Sequence, residues 1–316
     1  MTGLILKRLG LGLLTLWLVT ILVFIGTEIL PGDVAQAVLG QSATPETVAA
    51  LRESMGLNDP ALVRYFNWLA GFATGDLGHS IASGAEISGL IIERLSNTML
   101  LAGGTAIIVV PLSICLGLVA AMNPESIFDR ALSVLSMVFV AVPEFLLATV
   151  VVMVFAVWLN LFPAVSYVSE FRSIGHMLQT LALPVIALSA VLIAQMSRMT
   201  RAAVLNILSA PYIEMAILKG IKRRRIVFRH ALTNAIGPIA NIVALNLAYL
   251  VSGVVIVETI FAFPGLAKLI VDGVASRDFP VVQSCAVVFC AAYILLMLLA
   301  DIIAIVSNPR LRIESE

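Results

Sequence analysis

An all-α, polytopic membrane protein is the fold class this sequence predicts, and three observations predict it. The chain of 316 residues is 60% hydrophobic and only 12% charged, where a soluble domain carries about 25% charged residues. Its apolar residues gather into six runs, at 9–29, 98–121, 131–157, 178–196, 236–257 and 281–306. Each is near the roughly 20 residues needed to cross a bilayer. The lysines and arginines between the runs are distributed unevenly. The spans must be helices, because lipid offers no partner to an open strand edge.

The elements follow in order. Residues 1–30 hold a short N-terminus and the first span. Lys7-Arg8 and the small residues Ala35-Gln36-Ala37 look like parts of a secretory signal. However, the apolar run from Leu9 to Leu30 exceeds the roughly 7–15 residues of a signal core, so it reads as a retained anchor. Residues 31–97 form a small insert, polar enough to be soluble, with turn signals at Pro31-Gly32-Asp33, Asn58-Asp59-Pro60 and Gly75-Asp76. Thr44 and Pro45 predict a helix running to about Met55, since threonine caps and proline suits a first turn. A second short helix is expected over 64–72. Residues 98–307 hold the other five spans, with a polar loop at 197–235, and 308–316 form a tail. Pro111, Pro143 and Pro184 lie within apolar runs and should kink helices that pack on neighbours.

Orientation follows from the basic residues. With both termini cytoplasmic, the inner side carries 13 lysines and arginines and the outer side 6, namely Arg52, Arg64, Arg94, Arg172, Lys268 and Arg277. The insert 31–97 is then on the outer side.

Several function classes are disfavoured. Net charge is zero, so no global attraction to nucleic acid is implied, and the charges matter through their placement. No GxxxxGK[ST], HExxH or GxSxG pattern occurs, which argues against direct nucleotide binding and against hydrolysis. His79, His176 and His230 fall in three different loops and cannot form one metal site. Cys115, Cys285 and Cys290 lie in apolar runs without ligand spacing and read as small buried hydrophobes. No cofactor is expected. Glu144, after Pro143 and near the middle of its span, is different. A mid-membrane carboxylate is costly and usually faces a cavity or partner. It is read either as a contact on a translocation path or as an interhelical hydrogen-bonding group. Glu28 and Asp301, near span ends, read as structural.

The most informative stretch is 209–238. It is basic, too polar for lipid, yet Tyr212 to Leu218 is mostly apolar. Pro211 suits a first helical turn, Glu214 sits where the positive helix end favours an anion, and Gly220 permits a sharp turn. From Lys222 to Arg229 a second, basic helix should open. A helix, a turn and another helix lying across the cytoplasmic face are expected, with an apolar patch that needs a protein partner.

The pattern Glu214-Met215-Ala216-x-x-x-Gly220, followed by Arg229-His230-Ala231-Leu232, Asn234-Ala235 and Pro238, resembles the coupling loop of bacterial ABC importer permeases. The resemblance covers nearly the whole chain. Leu30-Pro31-Gly32-Asp33, Met55-Gly56-Leu57-Asn58-Asp59-Pro60 with Tyr65 and Trp68, and Gly75-Asp76-Leu77-Gly78-His79-Ser80 are similar to the opening and insert of the dipeptide/oligopeptide/nickel class, first permease subunit. So are Ala141-Val142-Pro143-Glu144-Phe145, Glu258-Thr259-Ile260-Phe261, Pro264-Gly265-Leu266, Arg277-Asp278-Phe279-Pro280 and Asn308-Pro309-Arg310 in later parts. Pro211, Ile217 and Asn308 depart from the usual acidic or amide residue, arginine and aspartate.

The resemblance implies a type I ABC importer permease fold with six spans and a small periplasmic insert after the first. It implies a non-enzymatic subunit in the bacterial inner membrane, in contact with lipid. The implied partners are a homologous second permease, two cytoplasmic ATP-binding subunits and a periplasmic substrate-binding protein. Coupling to the ATPase would fall to Tyr212, Glu214, Met215, Ala216, Gly220, Arg229 and His230, and Glu144 would touch the path. Di- or oligopeptides are the expected cargo, with nickel chelates, glutathione or sugar-like solutes as alternatives. A stand-alone secondary transporter is the competitor from another class; it predicts paired mid-membrane charges and internal repeats, and the sequence shows one central carboxylate and no clear repeat.

Overall fold

The computed structural model describes residues 2–29, 36, 43–54, 56–167, 173–221 and 223–307. The motifs at 30–33 and 308–310, the tail 308–316, Ala35, Ala37, Met55, Arg172 and Lys222 lie outside the described residues. So do the side chains of Arg223, Arg224, His230 and Asp301. Among the described residues the regular structure is helical, apart from one antiparallel bridge between His79 and Glu86.

The helices, in chain order, are α1 (Thr2–Ile29), α2 (Pro45–Ser54), α3 (Ala61–Thr74), α4 (Ile87–Met122), α5 (Ile127–Ala141) and α6 (Glu144–Val151). The last of these continues as a wide π turn over Val152–Trp158. They are followed by α7 (Ile174–Leu208), α8 (Pro211–Leu218), α9 (Arg223–Ile226), α10 (Leu232–Ile260), α11 (Leu266–Ser276) and α12 (Phe279–Ser307). Among the described residues five helices are long and apolar enough to cross a membrane, or six when the pair α5 and α6 counts as one span.

That pair corrects one expectation. The third run, 131–157, is not a kinked helix but two helices bent 105° apart. Val142 leaves the helix with extended backbone, and Pro143, also non-helical, caps the next, which opens at Glu144. A proline has no N–H to give and disfavours helical geometry in the residue before it. Pro111 and Pro184, by contrast, sit inside continuous helices.

The chain divides into two compact units. The first comprises Met1–Gly10, Met99–Phe263 and Tyr293–Glu316. Its core centres on α7, from which Leu183, Leu188, Leu192 and Met196 pack with Val254, Phe261 and Phe263. Close approach is secured by Gly117 of α4. A Cβ there would stand 2.7 Å from the Ser197 carbonyl oxygen and from Thr200 Cβ. Small residues at such crossings are how membrane helices gain packing contacts.

The second unit comprises Leu11–Thr98 and Pro264–Ala292. Helix α2 begins where Thr44 and Thr47 exchange hydrogen bonds, the Thr47 N–H donating to Thr44 Oγ1 at 3.3 Å and the Thr44 N–H to Thr47 Oγ1 at 2.9 Å. Helix α3 extends beyond the expected 64–72 and is closed by Gly75 at φ 82°. Motifs far apart in the chain meet here. The buried Asp278 carboxylate accepts from the Ser80 hydroxyl and from the backbone of Ile81 and Ala82 at 3.2 and 3.3 Å. The Leu266 N–H donates to Thr98 Oγ1 at 2.9 Å, and Asn97 Nδ2 to the Pro264 carbonyl at 2.9 Å. Ile87, Leu266 and Cys285 fill the core beneath.

The cysteines divide. Cys285 is buried and Cys290 half-buried, but Cys115 is exposed. Its place on a spanning helix with lipid-compatible neighbours explains why an apolar run did not imply burial.

Candidate functional site

Helix α7 ends at Leu208, and the chain turns through Ala210 into Pro211, the first residue of α8. Proline fits there because its missing N–H would have no helical partner. Glu214 lies in the first turn. The helix stops at Gly220, whose φ of 75° is the left-handed region that glycine enters without strain. The Gly220 N–H donates to the Ile217 carbonyl at 2.8 Å and the Ile221 N–H to the Ala216 carbonyl at 3.2 Å. These are the paired closing bonds of a Schellman stop. Among the described residues a Cβ on Gly220 would meet nothing within 4 Å, so the glycine is required by the backbone.

Ile213 is fully buried and fastens α8 to the body. Ala216 is half-buried, and Glu214 is exposed. Tyr212, Met215, Ile217 and Leu218 are 48, 55, 59 and 76% exposed. Four large apolar side chains on an eight-residue helix therefore face outward beside charged residues. An apolar patch with a polar rim is a mark of an interaction surface.

The expected second helix across the face is not separate. Helix α9 passes into a π turn over Val227–Ala231 and on into α10 without leaving helical backbone. No glycine or proline interrupts the chain between Arg223 and Leu232, and the wider turn absorbs one extra residue. Ile226, Val227 and Ala231 are buried, while Arg225 and Arg229 are exposed. His230 has its backbone in this turn. The structure thus gathers Tyr212, Glu214, Met215, Ala216 and Gly220 on one helix and its closing turn, and puts Arg229 at the start of the next.

Glu144 stands apart. It opens α6 directly after the break and lines a small cavity with Leu188 and Val191 of α7 and Tyr249 and Gly253 of α10. The Tyr249 hydroxyl lies beside its carboxylate. A Cβ on Gly253 would come within 3.4 Å of Glu144 Oε2, so the absent side chain there makes room for the carboxylate.

One constellation escaped the sequence reading. Asp129, with only 3% of its side chain exposed, pairs with Arg201 of α7. Arg201 Nη2 donates to Asp129 Oδ2 at 2.7 Å and Nε donates to Oδ1. The carboxylate also accepts the Glu125 N–H at 2.9 Å, in the α4–α5 turn where Glu125 has φ 63°. Ser126 caps α5 by accepting the Asp129 N–H at 3.2 Å. The signal was the serine three residues before an acid at the start of an apolar run; its partner, 72 residues away, left no local trace.

A helical multi-span chain whose polar loop offers an anchored helix with an exposed apolar face has the form of a membrane subunit that works with another protein. Known proteins say which kind. Residues 113–313 match the family described as the binding-protein-dependent transport system inner membrane component, and residues 1–102 match the N-terminal region of that membrane component. The chain belongs to this family. It is 33% identical over 308 residues to the probable peptide ABC transporter permease protein y4tP of Sinorhizobium fredii, covering 98% of each. It is 33% identical to the oligopeptide transport system permease protein AppB of Bacillus subtilis, covering 98% of this chain and 99% of that one. It is 32% identical to the glutathione transport system permease protein GsiC of Escherichia coli, covering 99% of each. In fold it is similar to a chain of the inward-facing MetNI methionine ABC transporter, with a TM-score of 0.53 at 17% identity over 69% of this chain and 96% of that one. The protein is therefore a multi-pass inner-membrane permease subunit of an ATP-driven importer, with a type I permease fold. It is not itself an enzyme; ATP hydrolysis belongs to ATPase partners, and a substrate-binding partner completes the system.

Proposed function

We propose that this chain forms half of the substrate path of an importer of di- or oligopeptides, and that α8 is where it docks an ATPase subunit. The observation that carries the docking is the outward apolar face of α8, held by buried Ile213 and the Gly220 stop. A second, homologous permease supplies the other half of the path, two cytoplasmic ATPase subunits lie beneath, and a periplasmic binding protein delivers cargo. Closure of the ATPase pair draws the two coupling helices together, and the spans rock from inward-open to outward-open. The peptide cargo is supported by the peptide and oligopeptide names of the relatives. Glutathione import by the same machinery is the second reading, favoured by the relative named for it.

Both termini are cytoplasmic in this reading, and the loop bearing α8 faces the ATPases. In sealed cells a cysteine at exposed Ser83 is expected to react with an impermeant thiol reagent, and one at Arg224 is not. Labelling at 224 in intact cells reverses the orientation.

In this reading Glu144 lies on the path. Its carboxylate sits at a helix break between α7 and α10 with a tyrosine hydroxyl beside it, where a polar group of cargo can exchange with Tyr249. Glu144→Gln keeps the shape and removes the charge. The expected result is an altered uptake rate or cargo preference with normal assembly. Loss of assembly makes Glu144 a structural group instead.

A further inference from the structure

We propose that α3 lies in the membrane interface, its outer face among lipid headgroups and upper acyl chains, and is not part of a water-soluble insert. Its attachment to α1 places it there. Arg64 pairs with Glu28. The Tyr65 hydroxyl lies 2.9 Å from Thr20 Oγ1, and the Phe24 ring meets Tyr65 edge-on at 5.4 Å and Trp68 at 6.3 Å between centroids. Glu28, Phe24 and Thr20 are successive turns of one face of α1, which ends at Ile29. At about 1.5 Å per residue, Phe24 lies about 7 Å and Thr20 about 13 Å inside that end. The segment Leu6–Ile29 is itself a candidate span of 24 residues, about 36 Å long, against a hydrocarbon core of about 30 Å. With the excess of about 6 Å shared between the two ends, Phe24 lies about 4 Å and Thr20 about 10 Å inside the hydrocarbon edge, so a helix held beside them sits at the headgroup–acyl boundary, where interfacial helices sink by about 5–10 Å.

The outward side chains of α3 suit that depth. Leu62 and Phe66 are 73 and 62% exposed, and Ala70 and Ala73 continue the same exposed stripe at helical spacing. Over the same stretch of α1 the exposed large side chains Leu22, Ile25 and Ile29 are apolar, and the exposed Glu28 is the partner of Arg64. Left in water, the stripe would be an unpaired hydrophobic patch; against lipid it extends the surface α1 already offers. The one charged residue of α3 is Arg64, and it pairs one residue from the end of α1, where an ion pair stays hydrated while its stem lies along apolar surface. Tyr65 and Trp68 are the ring types enriched at membrane interfaces.

The test uses the assembled importer in vesicles, with Cys115, Cys285 and Cys290 replaced by serine. A nitroxide is attached to single cysteines at Leu62, Phe66, Ala70 and, as an aqueous reference, Ser83. The α3 positions are expected to collide more with oxygen than with a water-soluble nickel chelate, and Ser83 the reverse. Nickel access at α3 equal to that at Ser83 overturns the proposal in favour of a soluble insert. Protection from both collision partners overturns it in favour of a covering protein. Where labelled chains fail to assemble, Trp68 fluorescence in a Trp17→Phe, Trp158→Phe background is read instead. Brominated phospholipid is expected to quench it, and absence of quenching sinks the idea. Neither readout depends on α8 docking the ATPase.

Discussion

Met215→Asp is expected to release the ATPase and abolish uptake while the permease still inserts with its full set of spans. Met215 is 55% exposed on a helix whose own anchor is Ile213. Substitution therefore leaves the fold alone and charges only the face offered to the partner. Burying that carboxylate unpaired in an interface costs about 3 kcal/mol or more, and each 1.4 kcal/mol is about tenfold in affinity. Docking should weaken by about a hundredfold or more. Tyr212→Ala removes an aromatic anchor of the kind that dominates interfaces and should act in the same direction. Gly220 separates strain from charge. At φ 75° with nothing among the described residues within 4 Å of a Cβ there, Gly220→Ala costs the left-handed backbone, about 1–2 kcal/mol. Gly220→Asp adds a charge at the surface where the partner sits and should be the more severe. A change at Arg225, which is exposed, should be mild, since exposed charges contribute little singly. The measurement is ATPase retention on affinity purification beside uptake. Retention and uptake at the parent level in Met215→Asp would reduce α8 to a lipid-facing linker.

What could be read in advance was local. Pro211 and Gly220 announce the start and stop of α8, because a proline at the first turn and a glycine in left-handed backbone each follow from one residue's conformational freedom. Six apolar runs announce the spans. What could not be read was tertiary. Pro143 signals a disturbance, but the size of the break, 105°, accompanies Glu144 meeting the space left by Gly253 and the hydroxyl of Tyr249, over a hundred positions away. The basic segment after Gly220 looks like a separate helix, since charge marks the end of a span; the π turn that joins it to α10 is set by packing of Ile226, Val227 and Ala231. Arg201 counts in the sequence only as one cation on the inner side, whereas in the fold it holds a buried acid.

That acid supports the second large effect. Arg201→Met is expected to lower the thermal stability of the purified importer and its yield by a margin easily seen in an unfolding scan. Asp129 is almost fully shielded from solvent, and its carboxylate oxygens take two N–H groups of Arg201 and one from Glu125. Removing the guanidinium leaves a buried charge with only the backbone donor. The cost is about 3 kcal/mol, the lower end for breaking a buried pair, because Arg201 is itself 26% exposed and water can reach the vacated space. The pair also ties the α4–α5 turn to the part of α7 that leads into α8, where Ala121, Val204 and Ala235 pack together. Its loss should therefore loosen the base from which the coupling helix projects. A double substitution distinguishes a charge effect from lost packing. Asp129→Asn keeps an acceptor for the Glu125 N–H and removes the charge, so Asp129→Asn with Arg201→Met should recover most of the stability lost by Arg201→Met alone. If the double variant is no more stable than Arg201→Met, packing by the arginine stem carries the effect. If Arg201→Met itself unfolds at the parent temperature, the pair contributes nothing to holding α7 against the α4–α5 turn.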